Sequence, residues 1–575
     1  MDATHRAPDL ILTGGHIPAL PVVPTVSTGT DVPGSEPRQD ATTVAVRGDR
    51  IVAVGDDGVR SLAGPGTRVI DVRGGAILPG INDGHLHFVA SAVARSLLLD
   101  VGATRAGSWG EVRSLVREAS PGPDGWIRAT GWDEVALGPG GPDAVADLRP
   151  DVPVVVFDQT GHALLLNATA CRAVGLTADT APVPGGTIGR WPDGTPNGLL
   201  GDGAMELACV RIPSLPAAAL TAAFADYQAV LHGWGITSLT EPGLGPGGAG
   251  LLGGSSDTAS LCALADWAAT GGLTLRTQVL LLFTGTGGAS ADAVRAGLAT
   301  GLDAVATDRG IDPDLLRVAG VKVFADGTPR AGTAWMSHDY RTPCGHGHGA
   351  MVIRGASDAE RVRELGAIVD AIHDAGLQAG IHATGDATTA AAVDAIVRAQ
   401  NRAPRDARHY VIHGAFADRA QVRRLGRAGI GYSTNPAIRA AAGGLMARVL
   451  GADRFRDHQP LASAIRAGVG ANIASDSPVT TADWRSSVLA AVTRDTAAGP
   501  APEDDAERVD VRTALALMTS GPAWQDHAEE HKGRIAPGHL ADLCVLDEPL
   551  PEEPHRLSRT TTVTTVSGGR LVHQA

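Results

Sequence analysis

Eight strand-like segments recur along this chain with helix-like stretches between them, and that alternation limits the fold more than any other feature. The segments are AILPGINDGHLHF (76–88), GITSLTEPG (235–243), TLRTQVLLLF (274–283), LRVAGVKVFADG (316–327), LQAGIHATGD (377–386), RHYVIHGAF (408–416), GIGYSTNP (429–436) and GANIASDSP (470–478). Helical patterns lie between them, among them AALTAAFADYQAVLHGW (218–234), SDAERVRELGAIVDAIHDAG (357–376) and TTAAAVDAIVRAQ (388–400). Eightfold β/α alternation predicts an α/β protein built on a (β/α)₈ TIM barrel.

Two stretches fall outside the alternation. Residues 89–215 interrupt it after the first strand and read as an inserted α+β subdomain over the barrel mouth. The two ends share a different texture. PDLILTGGHIP (8–18), TTVAVRGDRIVAVG (42–55) and RVIDVRGGAILPG (68–80) are short strands and turns, the second a hairpin around Arg47-Gly48-Asp49-Arg50. GRIAPGHLADLCVLDEP (533–549) and TTTVTTVSGGRLVHQ (560–574) match them. The expected organisation is a small β-domain formed from both termini (1–75 and 529–575) around a barrel at 76–528. A Pro-, Thr-, Ser- and Gly-rich loop is expected at 19–41.

Composition narrows the function. The 575 residues can bury a sizeable core, and 43% of them are hydrophobic. Only 3% are aromatic, so Ala, Val, Leu and Ile should fill that core. The net charge of −14 and the lack of a Lys/Arg block argue against nucleic acid. Five scattered cysteines with no CxxC pair, no basic-then-apolar leader and no 18-residue apolar span predict a cytoplasmic protein with no membrane partner.

Metal-competent side chains sit where the strands should end. His85 and His87 flank Leu86, and alternation along a strand turns both the same way. Lys322 stands among apolar residues in Val321-Lys322-Val323-Phe324, where burial would disfavour its charge. His382, His413 and Asp476 close Gly380-Ile381-His382, Val411-Ile412-His413 and Ala474-Ser475-Asp476. Singly, each reads as a hydrogen-bonded polar residue. Together they occupy the rim on which barrel active sites form. Cys344-Gly345-His346-Gly347-His348 lies in a Gly-rich loop, and His527-Ala528-Glu529-Glu530-His531 lies outside the barrel mouth; neither is expected to bind metal. The Gly-rich run at 245–254 lacks the Gly-Lys-Ser/Thr of a phosphate loop and reads as a βα loop.

PGINDGHLHF, VKVFADG, IHATGD, VIHGAF and ASDSPV, in that order, resemble the amidohydrolase superfamily, and most closely its family-3 branch of YtcJ-like proteins and N-substituted formamide deformylases. The terminal hairpins and the segments ATGWDE (129–134) and FDQTGHALLLNATACRAVGL (157–176) resemble it too. Asn82-Asp83-Gly84 and Thr434-Asn435-Pro436 depart from the commoner pattern without removing a ligand.

The resemblance implies a divalent metal centre of two Zn²⁺, one on His85, His87 and Asp476 and one on His382 and His413. Lys322, carboxylated by CO₂, would bridge the two ions, which need a shared ligand at a spacing of ~3.5–4 Å. It implies hydrolysis of a non-peptide, amide-type C–N bond in a small molecule such as an N-substituted formamide, by metal-activated hydroxide, with Asp476 moving the proton. His162, Trp132 and Arg330 are the expected substrate-binding residues, and the expected partners are a small-molecule substrate and a second copy of the chain in a homodimer. Deamination of a cyclic amidine on the same scaffold, with one metal and no lysine bridge, is the alternative chemistry. A non-catalytic binding barrel would have lost a ligand.

Overall fold

The computed structural model describes residues 6–23, 41–122, 124–183, 186–251, 254–341, 347–502 and 505–575. Its centre is an eight-stranded sheet whose neighbouring strands all run parallel. The strands are β1 (Ile81–Asp83), β2 (Ile236–Leu244), β3 (Arg276–Leu281), β4 (Leu316–Phe324), β5 (Gln378–Ala383), β6 (Tyr410–His413), β7 (Gly431–Thr434) and β8 (Ala471–Ile473). Their order in the sheet is their order in the chain. This is the expected TIM barrel, and each of its strands falls on one of the eight segments identified in the sequence, β2 running one residue past its segment. Apart from the half-buried Arg317 and Ala319 of β4, all of these residues are buried, as strands covered on both faces must be.

Helices cover the outside. They include α1 (Phe88–Ser96), α2 (Ala217–Gly233), α3 (Thr258–Ala269), α4 (Asp358–Asp374) and α5 (Asp386–Arg402). Two of them start on short polar side chains: Asp257 accepts from the backbone N–H of Ser260 at 2.8 Å and Ser357 from that of Glu360 at 3.3 Å. Phe88 at the head of α1 packs its ring 5.6 Å from Phe224 and 5.9 Å from Tyr227 of α2.

The C-terminal ends of β1 and β8 close the ring. Asp476 N donates to His85 O at 2.9 Å, His87 N to Ser477 O at 3.0 Å, and Ser475 N to Asp83 Oδ1 at 3.1 Å. Beneath this rim lies a buried polar layer. Ser433 Oγ donates to Asn472 Oδ1 at 2.8 Å, Asn472 Nδ2 to Gln525 Oε1 at 2.8 Å, and Gln525 Nε2 to Gly84 O at 3.2 Å. Each member finds a partner, so the layer fixes the register of β1 against β7 and β8 without leaving buried polar atoms exposed to vacuum.

Residues between β1 and β2 build a separate six-stranded sheet. Its strand order is 186–190, 196–202, 163–166, 154–158, 127–132 and 99–100. Val154 and Val156 face one apolar cluster and Val155 and Phe157 the other, so both faces of this sheet are covered. Two four-stranded sheets from the chain ends pack on a joint core that includes Leu12, Val44, Val46, Ile77, Leu543, Val545 and Val566. Most of the expected loop at 19–41, from residue 24 to 40, lies outside the described residues, as do Cys344 and His346. No described helix is long and apolar enough to cross a membrane.

A β carbon on Gly84 would sit 2.5 Å from Asn472 Oδ1. Gly84→Ala should therefore displace the His85–His87 segment at a cost of about 1–3 kcal/mol. The expected result is a lower thermal midpoint together with lower turnover; an unchanged midpoint would show that the layer yields freely.

Candidate metal centre

Because the strands are parallel, their C-terminal ends share one rim, and that rim gathers residues distant in sequence. His85 and His87 follow β1, Lys322 lies within β4, His382 within β5, His413 ends β6 and Asp476 follows β8. All six line one cavity of about 150 Å³. His85, His413 and Asp476 are the tightest group: each offers one ligand atom, and these atoms lie within 4.8 Å of one another. His85 Nε2 is 3.2 Å and His87 Nε2 3.5 Å from the same Asp476 Oδ1. The His382 and His413 rings meet edge to face, 4.6 Å apart. The compact trio thus combines His413 with His85 and Asp476, across the two ligand sets that the resemblance implied.

The surroundings explain each orientation. His413 Nδ1 is bonded to Asn435 Oδ1 at 2.7 Å, which leaves Nε2 free. His382 Nε2 points at Gly327 O, 3.3 Å away. Asp326 fixes the loop beneath it by accepting from Thr384 N at 3.0 Å and Gly385 N at 2.9 Å. His413 and Asp476 both hold left-handed backbone, with φ of 67° and 58°. For residues other than glycine that conformation costs about 1–3 kcal/mol and is typical of functional sites.

Burial sets the electrostatics. It pushes the His85 and His382 imidazoles well below their usual range, that of His413 down to about 4, and that of His87 down as well. All four are neutral at pH 7 and present lone pairs. Burial also pushes Lys322 down to about 7, against the pull of Asp476 and Glu241. Burial alone would raise Asp476, but the imidazoles of His85 and His87 facing it hold its carboxyl well below the usual range. The residues present fit a divalent cation. Both ring nitrogens of His85 are buried without a hydrogen-bond partner. Such atoms cost about 1–3 kcal/mol each unless something else satisfies them. Neutral imidazoles with an ionised carboxylate are the donor set that zinc-type cations take.

Of the expected substrate-binding residues, two reach the cavity. His162 lines it, its ring 5.9 Å from that of His382, with Nδ1 bonded to Asp202 at 2.8 Å. Arg330 lines it too and pairs with Asp133 of the inserted sheet. The structure does not bring Trp132 to the cavity: its Nε1 donates to Val156 O at 3.2 Å and its ring packs 5.7 Å from Trp109 in the core of the inserted sheet. His531 pairs with Asp314 at 3.1 Å, so that motif is occupied elsewhere. Sequence reasoning passed over Asn435, Asp202, Asp326 and Glu241. Position beside a strand end could have flagged Asp326 and Asn435, but nothing local marks a partner from another strand.

Zinc added to chelator-stripped protein should raise the thermal midpoint, because binding to the folded state alone stabilises by about 2.7 kcal/mol at a hundredfold excess over Kd. His85→Ala and Asp476→Ala should abolish the rise. A midpoint indifferent to zinc in the native protein would mean that these side chains hold no cation.

Comparison with known proteins agrees with this fold. The chain is 26% identical over 541 residues to protein LONG AFTER FAR-RED 3 of Arabidopsis thaliana, covering 93% of this chain and 88% of that one. It is 27% identical over 535 residues to N-substituted formamide deformylase of Arthrobacter pascens, covering 88% and 90%. An uncharacterized metal-dependent hydrolase from Pyrococcus horikoshii superposes with a TM-score of 0.70 at 20% identity, over 95% of this chain and 98% of that one. The amidohydrolase family model matches residues 68–573, and with that match over most of its length this chain belongs to the amidohydrolase family.

Proposed function

We propose that this protein is a metal-dependent hydrolase that cleaves the C–N bond of a small non-peptide amide, with N-substituted formamides as the first candidates. The observation that carries the reading is the convergence of His85, His413 and Asp476 on one point within the barrel-mouth cavity. Membership of the amidohydrolase family and similarity to a formamide deformylase support an amide as the bond attacked.

His85, His87, His382, His413 and Asp476 would hold the cation. A bound divalent ion supplies Lewis acidity, polarising a carbonyl and bringing the ionisation of water toward neutral pH. Two zinc ions would suit this donor set, and Lys322, if carboxylated, would add a shared anionic ligand to them. A lysine amine pushed down to about 7 is neutral in large part at pH 7, and only the neutral amine adds CO₂.

The chain's own groups then divide the work. Asp476, kept ionised, accepts the proton of the attacking water at a carboxylate oxygen and returns it to the leaving nitrogen. Leu251, Phe324, Ile438, Met446 and Val479 form an apolar wall that suits a hydrocarbon substituent and excludes bulk water. His162, steadied by Asp202, and Arg330, steadied by Asp133, line the same cavity and would offer polar contacts to the substrate.

The zinc-loaded protein should release amine from formamides or acyl amides in a screen that also holds cyclic ureides, cyclic amidines and esters; ammonia from the amidines alone would favour deamination instead. Asp476→Asn should lower kcat by about 10²–10⁴ while most of the metal stays bound. Lys322→Ala should lose metal and activity together, and a full complement of metal in that variant would remove the lysine bridge.

A further inference from the structure

The two ring nitrogens of His87 have different surroundings. Nε2 lies on the cavity side, 3.5 Å from Asp476 Oδ1. Nδ1 is buried and has no hydrogen-bond partner among the described residues. Opposite it, at 3.8 Å, stands Glu241 Oε1, a fully buried carboxylate oxygen that also has no partner. The backbone puts these two residues level. Leu239 of β2 is in register with Asp83 of β1, and Leu86 N donates to Thr240 O at 2.9 Å, so the next residues on each side are Glu241 and His87.

Glu241 has one evident structural duty. Its Oε2 accepts from Val89 N at 2.9 Å, in the first turn of α1. That duty leaves Oε1 without a partner, and burial, which pushes this carboxyl up to about 8, makes its ionised form costly unless a donor or a nearby cation satisfies it. The unmatched oxygen faces an unmatched ring nitrogen. A histidine that gives one nitrogen to a cation carries its proton on the other, and that N–H commonly seeks a carboxylate.

We propose that Glu241 is a positioning residue for the metal centre: its Oε1 accepts the Nδ1 proton of His87, fixes the tautomer and aims Nε2 into the rim. The inference rests on the reading of His87 as a metal ligand. The 3.8 Å separation exceeds the ~2.7–3.2 Å of a formed hydrogen bond, so the pair is opposed in this structure and closes in the loaded protein. Glu241 touches neither substrate nor the reacting atoms; it acts through the ring of His87.

Glu241→Gln separates this role from the helix cap. The amide oxygen can still accept from Val89, but the NH₂ group then meets the Nδ1 proton, donor against donor. The expected result is zinc affinity about 10–100-fold weaker in competition with a chelator, while the metal-free variant melts near the wild-type midpoint. Equal affinity within about threefold would overturn the role of Glu241 and leave the metal centre standing. Wild-type protein that takes up no zinc would overturn both. If the variant does not fold, ¹⁵N-histidine spectra of the zinc-loaded wild-type protein decide: a proton on Nδ1 of His87 is expected, and one on Nε2 refutes the assignment.

Discussion

The hydrogen bond from Asp476 N to His85 O, 2.9 Å long, does two jobs at once. It joins the last strand of the barrel to the first, and it carries the carboxylate of one into contact with the imidazoles of the other. The ligand atoms lie within reach of a common point because the ring closes there. The polar layer under the rim, from Ser433 through Asn472 and Gln525 to Gly84, sets the same register from below. Fold and site thus share a constraint, and a change at the seam between β1 and β8 reaches both.

One physical cause, removal from water, prepares most of the chemistry. It strips the proton from four imidazoles, leaving lone pairs, and holds the Lys322 amine near the point of neutrality. The same burial would neutralise Asp476 were its carboxylate not faced by His85 and His87. Imidazoles that would be partly protonated in water stay neutral donors, a lysine that would be cationic nears neutrality, and one carboxylate keeps its charge among them. The unpaired ring nitrogens at the rim are the visible cost of this arrangement. Left-handed backbone at His413 and Asp476 adds strain of the kind that functional sites accumulate.

The inserted sheet supplies the cover. His162 reaches down from it toward His382, and Asp133 reaches across to Arg330 on the loop after β4. The cavity is therefore bounded below by barrel strand ends and above by a sheet with its own two-sided core. Its lining combines apolar side chains with these tethered polar groups.

The sequence by itself determined the barrel, because eight buried strands separated by helices leave few other ways to cover both faces of a parallel sheet. It also supplied the candidate ligands. Metal-competent residues at the C-terminal ends of such strands must meet at one rim, whatever lies between them. The tertiary structure alone decided which of them meet most closely: His413 joins His85 and Asp476, since closure of the ring, and not spacing along the chain, sets those distances. It decided that Trp132 faces the core of its own sheet while His162, thirty residues on in the same insertion, faces the cavity. It also decided the partners that orient the ligands: Asn435 for His413, Asp202 for His162 and the pairing of Glu241 opposite His87. Each is a contact between residues on different elements, and a local pattern of residues carries no record of what another element will place beside it.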